Sequence, residues 1–393
     1  MKKTTMALLG LALLAPVFMK AAEPSFEVYG FAQLDYVQDF NRVDPSWDST
    51  LRPSKIPTTE GMYGSDGQAV LSVRQSRLGF KADLPVNGES VFTKFEVDFF
   101  GVGADAGQTT IRLRHAYGQW GPVLAGQTNS LFMDGDIFPN TIDYWGPTGM
   151  VFLRNPQIRL TKMAGDKSFA VALEQPSNDI DDGRLREIDP ALSAVTGDEK
   201  YPDLTAQARL VGDKGHVQLA GIVRHLGYDT PGAVDNSPKG HKTGWGLDLT
   251  SVIKTRKSDA LRVGVVYGAG IASYMNDGGM DLAPMGSTTT SISAKAVPLI
   301  GVSAYYDITW NDRWSSSIGY SLNDVENTDF QDPGSYSRGD YASANLIHYP
   351  TKNVFYGFEY LYGRREDANG KTGVDRRVQL SANYKFSSKN SQN

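Results

Sequence analysis

Basic side chains alternate with apolar ones in three short stretches of the sequence. The neighbours of these basic residues are apolar, as with Leu78 and Phe80 or Ile111 and Leu113. The basic residues are Arg77, Lys81, Arg112, Arg114 and Arg159. Guanidinium and ammonium groups form charge-assisted hydrogen bonds with carboxylates and phosphates, so several of them on one surface could attract small anions. Alternation with a period of two is the pattern of a β-strand with one polar and one apolar face.

Catalytic chemistry has little support in the sequence. No G-x-S-x-G elbow and no HExxH pair occurs, and the five histidines are scattered over different predicted strands or loops. They are His115, His216, His225, His241 and His348. Asp179, Asp181 and Asp182 could contribute ligands to a Ca²⁺ site, but their spacing is incomplete, which favours a solvated loop. We therefore expect no enzyme activity, no cofactor and no metal site.

The alternation of apolar and polar residues recurs along most of the chain. In residues 91–100 (VFTKFEVDFF) and 378–386 (VQLSANYKF), one face is apolar and the other carries charged or amide side chains. A β-sandwich could also have one polar face. Here, however, Trp120, Trp310 and Trp314 flank short turns, as in the aromatic girdle of a membrane barrel. The pattern predicts an all-β protein, a transmembrane antiparallel β-barrel.

The amino terminus indicates export. Two lysines precede an apolar run from Met6 to Met19, and two alanines follow it, so residues 1–22 are predicted to be a cleaved signal peptide. Cysteine is absent, and no later run of about 18 apolar residues exists that could form a spanning helix. Residues 1–22 hold three lysines and no acidic residue, so their removal changes the formal net charge from −5 to −8. This charge argues against a nucleic-acid partner.

Short and long connections alternate along the mature chain. Seven are short turns, from Pro85–Gly88 to Pro350–Asn353, and eight are longer polar segments such as Gln175–Pro202. Fifteen connections join sixteen strands, and this alternation is typical of outer-membrane barrels with periplasmic turns and extracellular loops. We therefore predict one barrel of about sixteen strands over residues 23–386. Residues 387–393 are predicted to be a polar, disordered C-terminal tail.

The segment Gly126–Val151 interrupts the alternation. It contains many turn-forming residues, yet it also carries too many large apolar side chains for a freely solvated loop. We interpret it as a constriction loop that folds into the bore of the barrel, where irregular backbone is tolerated. An exposed loop that is covered by a partner is the alternative.

This loop also carries three acidic residues, Asp134, Asp136 and Asp143. A lipid-facing arginine near the middle of the membrane costs about 2–4 kcal/mol, so the five basic residues are assigned to the bore. A basic wall that faces an inserted loop can act as an anion-selective constriction. In the alternative, the three loop acids, together with Glu96 and Asp98, neutralise the arginines and hold the loop in place. The two interpretations are compatible.

Six motifs carry a resemblance to a known family. They are RQSRLGFKADLP (Arg74–Pro85), FEVDFFG (Phe95–Gly101), LRHAYGQW (Leu113–Trp120), GQTNSLFMD (Gly126–Asp134), DYWGPTGMVFLRNPQIR (Asp143–Arg159) and GFEYLYGRRE (Gly357–Glu366). These motifs resemble the DcaP-like outer-membrane porins of Gram-negative bacteria, over the span from Phe26 to Phe386. The resemblance implies a homotrimer of sixteen-stranded barrels, a third extracellular loop that narrows each pore, and a preference for small anions such as dicarboxylates.

The chain departs from the family pattern at both ends. Some relatives carry a coiled-coil segment before the barrel, whereas here Glu23–Ser25 lead directly into the first strand. The terminal aromatic residue of the family pattern corresponds to Phe386, which is followed by SSKNSQN. Contact between protomers would then depend on the barrel walls. We predict that it involves the terminal strands, with Phe26, Val28, Leu34, Val378 and Leu380.

The leading functional hypothesis is a passive diffusion porin with a preference for anions. It would lie in the outer membrane, in contact with lipid and lipopolysaccharide. An outer-membrane enzyme, such as a lipid hydrolase, is one alternative. A structural or adhesive barrel with a plugged bore is the other, and conductance separates it from a porin.

Overall fold

The structure is a computed structural model that describes residues 23–184, 187, 190–256, 258–285 and 293–389. The predicted signal peptide, residues 1–22, lies outside the described residues. Among the residues that are described, no helix is both long enough and apolar enough to cross a membrane.

Twenty β-strands account for most of the described chain. The first ten are β1 (Ser25–Asp39), β2 (Gln68–Ser72), β3 (Arg77–Val86), β4 (Glu89–Phe100), β5 (Thr109–Trp120), β6 (Val123–Asn129), β7 (Arg154–Ala164), β8 (Lys167–Glu174), β9 (Thr196–Asp198) and β10 (Asp203–Gly212). The others are β11 (Gly215–Asp229), β12 (Gly240–Lys254), β13 (Ala260–Ala269), β14 (Leu282–Met285), β15 (Ser293–Ala296), β16 (Pro298–Asn311), β17 (Trp314–Val325), β18 (Tyr336–Thr351), β19 (Val354–Asp367) and β20 (Thr372–Ser387).

Short 3₁₀ turns lie in the connections between these strands. They are Pro45–Trp47, Pro53–Lys55, Gly103–Asp105, Gly135–Ile137, Pro190–Ala194, Val234–Asn236 and Ala272–Tyr274.

The sheet closes on itself to form the barrel. Each wall strand pairs antiparallel with its neighbours, and β20 pairs with β1, from Tyr29 opposite Ser387 to Asp39 opposite Arg377. β2 and β3 both pair with β1 and form one wall strand that is interrupted between them, while the short β9 extends the extracellular end of the wall beside β11. The wall therefore has sixteen strands, as the sequence predicted.

Side chains separate by face along every wall strand. Leu34 and Leu380 point outward and are each 48% exposed, whereas their neighbours Asp35 and Gln379 point inward and are buried. At this level of the barrel the outer surface is therefore apolar, as a lipid-facing wall requires, and the polar residues face the bore.

Three extracellular loops fold into the bore. Residues 130–153 bury Leu131, Phe132, Ile142 and other apolar side chains, so the predicted inward fold of this loop is confirmed. The loop begins after β6 and not at Gly126, and it ends at residue 153, directly before β7, and not at Val151. Residues 40–67, and the described residues 270–285 and 293–297, also fold inward, which the sequence patterns did not predict. The inner wall makes room for them: a Cβ atom on Gly363 of β19 would lie 2.8 Å from Ile56 and 3.1 Å from Leu51 of the first loop.

The carboxyl end of the chain follows the first strand beyond the predicted barrel boundary. β20 ends at Ser387 and not at Phe386. The Ser388 backbone N–H donates to the Val28 carbonyl at 2.9 Å, and the Val28 N–H donates to Ser388 Oγ at 3.0 Å. The beginning of the predicted tail is therefore ordered on β1, whereas residues 390–393 lie outside the described chain.

A glycine in the strand before the constriction loop provides a test of the wall geometry. Gly126 of β6 has φ +125°, and a Cβ atom there would lie 2.3 Å from the Ala116 carbonyl oxygen. We expect Gly126→Ala to lower the free energy of unfolding by about 1–3 kcal/mol, measured by urea unfolding in lipid vesicles. Gly118→Ala is the control, because its Cβ would come no closer than 3.8 Å to a neighbour. Equal unfolding midpoints for the two variants would contradict this geometry.

Candidate functional site

The inner faces of β3 to β7 carry a group of basic side chains, which we call the basic wall. It consists of Arg77, Lys94, Arg112, Arg114, Arg154 and Arg159. The structure thus places four of the five predicted basic residues on one side of the bore. The fifth, Lys81, lies nearer the periplasmic end of β3 and pairs with Glu27 at 3.1 Å.

A β-bulge concentrates these charges. Glu96 of β4 lies opposite His115, but the next residue of β4, Val97, lies opposite Leu113. Arg114 is therefore an extra residue on β5, and both Arg114 and His115 are buried on the inner side. Without the bulge, strict alternation would place one of them toward lipid.

Two carboxylates hold four of the basic groups. Arg112 binds Asp98 through Nε at 3.1 Å and Nη2 at 2.8 Å. Arg114 binds Glu96 at 2.9 Å and Asp98 at 2.7 Å. Glu96 also lies 3.5 Å from Arg77 and 3.3 Å from Lys94. Four cations therefore share two anions, and positive charge is in excess.

The remaining two arginines of the basic wall make no ion pair with any described residue. Arg159 donates to Gln157 Oε1 at 3.0 Å and to the Asn129 carbonyl at 2.6 Å. Arg154 lies 4.7 Å from the centre of the Phe152 ring. Lys94 and Arg154 were not among the predicted site residues. The alternation of 91–100 already placed Lys94 on the polar face, whereas Arg154 follows a loop in which no alternation exists.

The constriction loop, residues 130–153, returns to the basic wall through one tyrosine. Tyr144 Oη donates to Asp98 at 2.5 Å and accepts from Arg114 at 3.1 Å. Its ring stacks on Phe100, with ring centres 3.9 Å apart. The loop is therefore bound directly to the carboxylate that also holds Arg112 and Arg114.

Carboxylates of the wall also bind the backbone of this loop. Glu174 accepts the Leu131 N–H at 2.8 Å, and Glu359 accepts the N–H groups of Ile142 at 2.5 Å and Asp143 at 2.8 Å. These hydrogen bonds join backbone N–H groups of the loop to side chains of the wall, and they fix the path of the loop across the bore.

The three loop acids bind elsewhere than the predicted arginines. Asp134 accepts from His216 and Thr250, each at 2.7 Å, and Arg209 binds both Asp134, at 3.3 Å, and Asp136. Asp143 accepts from Thr50 at 2.7 Å and from Tyr341 at 3.1 Å. None of the three is within ion-pair distance of Arg77, Arg112, Arg114 or Arg159. Glu96 and Asp98 are the acids that pair with the basic wall.

Burial affects two of these loop carboxylates differently. Burial raises the pKa of Asp143, and hydrogen bonds from Thr50 and Gly146 offset part of the rise. Burial also acts to raise the pKa of Asp134, but hydrogen bonds from His216 and Thr250 outweigh it and lower that pKa below its usual value of 3.8. Asp134 is therefore ionised at neutral pH and is the charged anchor of the loop tip.

A cation already occupies the space between the acids of the loop tip. Ligand atoms of Asp134, Asp136 and His216 all lie within 4.8 Å of one another, a spacing that a metal ion could use. The Arg209 guanidinium, however, contacts both carboxylates. Because a metal ion would have to displace this charge, the group fits a loop anchor better than a metal site.

Comparisons with known proteins agree with this architecture. A model of the DcaP outer membrane protein family matches residues 17–386, and the chain belongs to this family. A search of curated protein sequences found no match.

Several solved structures share the fold. The outer membrane channel DcaP of Acinetobacter baumannii is similar with a TM-score of 0.78 and 24% identity, over 95% of this chain and 100% of that chain. An anion-selective porin from Comamonas acidovorans has a TM-score of 0.61 and 10% identity, over 93% and 100%. OmpF of Salmonella typhi has a TM-score of 0.58 and 11% identity, over 92% and 97%. The family and the fold define an outer-membrane porin, and they point to a channel and not to an enzyme.

The anchor of the loop tip leads to a prediction about stability. Asp134→Asn keeps the size of the side chain but removes the charge that His216 and Arg209 bind. We expect the free energy of unfolding at pH 7 to fall by about 1–3 kcal/mol. Because the pKa of Asp134 is lowered in the folded protein, its contribution is present above pH 3.8 and decreases below it. Wild type and variant should therefore converge in acid.

Asp136→Asn is the matched control for this measurement. The Asp136 side chain also binds Arg209, but it is 63% exposed, so its loss should cost less than about 1 kcal/mol. Equal losses for the two variants, or a difference between wild type and Asp134→Asn that grows in acid, would show that Asp134 is not the anchor.

Proposed function

We propose that this porin is a passive diffusion channel for small hydrophilic solutes and that it prefers anions, dicarboxylates among them. The observation that carries the proposal is the excess of positive charge on the basic wall. Glu96 and Asp98 are shared among four cations, and Arg154 and Arg159 have no acidic partner among the described residues. A solute carboxylate can take the place of the missing partner.

The overall charge of the chain does not oppose this preference. Two unit charges about 4 Å apart interact by about 4 kcal/mol at an effective dielectric constant near 20, but by only about 1 kcal/mol in bulk water. At 0.15 M salt, the field of an exposed charge decays over about 8 Å. A few arginines beside a narrow path therefore outweigh many acids on solvated loops.

The constriction loop leaves the excess charge in place. Asp134 binds Arg209 of β10 and His216 of β11, Asp136 binds Arg209, and Asp143 binds Thr50 and Tyr341. These acids cannot neutralise the basic wall without leaving their present partners. The wall carries cations at several points, so a solute with two carboxylates can bind through both of them.

A plugged barrel remains the second candidate, because three loops fold into the bore. Conductance in planar bilayers distinguishes the two. A channel gives ohmic current steps, whereas a plugged barrel leaves the bilayer sealed.

Assembly and location complete the proposal. The mature chain is exported by the signal peptide, lies among outer-membrane lipid and lipopolysaccharide, and forms a homotrimer. The apolar outer wall supports association, since a closed barrel has no free edge and protomers can meet only through this surface.

The selectivity can be tested on the two arginines that have no acidic partner. The double variant Arg154→Gln, Arg159→Gln should still fold, because it leaves no carboxylate unpaired. It should reduce the anion-to-cation permeability ratio at least about twofold, because two positive charges beside the path are lost. Replacing both by Glu should reverse the preference. The measurement is the reversal potential under a salt gradient. Substituting Arg112 and Arg114 is less direct, because Asp98 would lose its partners.

Lys352→Gln is the control, because it removes one cation from the exposed periplasmic turn between β18 and β19. Its reversal potential should equal that of wild type. A cation-selective wild type, or a double Gln variant with unchanged selectivity, would contradict the proposal.

The protomer contact can be mapped with single cysteines, because the chain contains none. Leu380→Cys lies on the predicted contact face, and Leu247→Cys is equally exposed on β12, across the barrel. A bifunctional thiol reagent should link protomers of the first variant only. Crosslinks through residue 247, or a single monomer band for both variants in mild detergent, would place the contact elsewhere or exclude it.

A further inference from the structure

The outer surface of the barrel is not apolar throughout. Six charged side chains point outward at the extracellular ends of β17 to β20, a group that we call the outer charged patch. They are Asp324, Arg338, Asp340, Arg364, Glu366 and Arg376. Their outward direction follows from the pairing, because they alternate with inward-facing residues such as Ser321, Tyr341, Asp375 and Arg377, all of which are buried.

The patch lies above the hydrocarbon layer of the membrane. β18 and β20 each contain 16 residues, and β19 contains 14. A transmembrane strand needs only about 9–11 residues, so these strands project beyond the apolar core. Tyr320 and Tyr360 also point outward just below Asp340 and Arg364, and Tyr362 lies opposite Arg376 at the lower edge of the patch, where an interfacial aromatic girdle is expected. The patch is therefore level with the lipid headgroups of the outer leaflet.

One buried acid organises two of the arginines. Asp340 accepts from Arg338 at 2.9 Å, from Arg364 at 3.2 Å and from the Tyr320 hydroxyl. Only 5% of Asp340 is exposed, whereas about a third of each arginine side chain is exposed. The acid thus fixes two guanidinium groups side by side. Arg364 also binds Glu366 at 2.6 Å, and Arg338 lies 3.6 Å from Asp324. Each guanidinium has five N–H donors, more than these acids accept, so each keeps donors for a further anion.

The third arginine of the patch has no counter-charge. Arg376 makes no ion pair with a described residue, and its guanidinium lies 5.9 Å from the centre of the Tyr362 ring. It is exposed beside Arg364, because Tyr362 lies opposite Arg376 and Arg364 lies opposite Val374. Three guanidinium groups therefore occupy neighbouring positions on the wall at headgroup depth.

We propose that the outer charged patch binds the phosphate groups of a phosphorylated outer-leaflet lipid, with Arg376, Arg364 and Arg338 as the donors. Guanidinium groups match phosphate oxygens through paired N–H bonds, and they do so best where water is partly excluded. Arg376 makes the first contact because its donors are free. Asp340 already fixes the side chains of Arg338 and Arg364, so these arginines supply further N–H donors with little additional loss of side-chain entropy. This inference rests on the contact with outer-leaflet lipid proposed above, but the binding site is separate from the bore and does not depend on solute selectivity.

The proposal can be tested with two lipids that differ only in phosphate. The protein in detergent is titrated with bisphosphorylated lipid A and with dephosphorylated lipid A, and the dissociation constants are measured by native mass spectrometry. Wild type should bind the phosphorylated lipid at least about tenfold more tightly, which corresponds to about 1.4 kcal/mol. The preference should weaken as salt increases.

Two variants and one control locate the site. Arg376→Gln removes an unpaired cation, so folding should be unaffected, and the phosphate preference should fall at least threefold. The triple variant Arg338→Gln, Asp340→Asn, Arg364→Gln should reduce it further without leaving Asp340 as an unpaired buried charge. Lys352→Gln, at the periplasmic end, should match wild type. Unfolding midpoints confirm that the variants fold.

Three results would overturn the proposal. The first is equal affinity of wild type for the two lipids, which would indicate apolar contact alone. The second is an unchanged phosphate preference in Arg376→Gln and in the triple variant. The third is a loss of the oligomer with unchanged lipid affinity, which would make the patch a contact between protomers.

Discussion

The hydrogen-bond ladder that joins β20 to β1 is the constraint on which the rest of the structure depends. In a bilayer, every backbone N–H and C=O must find a partner within the protein, and a closed sheet achieves this without an edge. Closure also determines the two surfaces: one set of alternating side chains must face lipid and the other must face the bore. The polar groups that bind loops and solutes are available only because the sheet is closed.

The polar inner face allows long loops to fold into the bore. Their backbone groups would be costly to bury against an apolar wall, but here wall carboxylates accept them: Glu174 binds Leu131, and Glu359 binds Ile142 and Asp143. Apolar side chains of the loops then pack against one another inside the barrel. The loop that narrows the bore is therefore held by the same acidic wall groups that would otherwise attract cations, and this leaves the arginines of the basic wall in excess.

On the outer surface, the cost of burying a charge in lipid decides where charged residues can lie. The outer charged patch lies at the level of the headgroups, where an arginine costs about 0–1 kcal/mol compared with about 2–4 kcal/mol at the midplane. Asp340 and its two arginines lie above outward-facing tyrosines, and below them the wall is apolar. Position along the strand thus decides whether a charge on the lipid-facing side is tolerated.

Sequence alone determined the class of fold, a count of about sixteen strands and the faces of the strands that alternate regularly, because alternation with a period of two and the lengths of the connections are local properties. It also placed Arg77, Arg112, Arg114 and Arg159 on the inner face. Only the tertiary structure decided which acids pair with them. Asp134 lies closer in the sequence to Arg114 than to Arg209 or His216, yet it binds the latter two because the loop crosses the bore. The inward fold of residues 40–67 likewise depends on contacts with distant strands such as β19. The bulge at Arg114 depends on how β4 and β5 pair, which the alternation within one strand does not record.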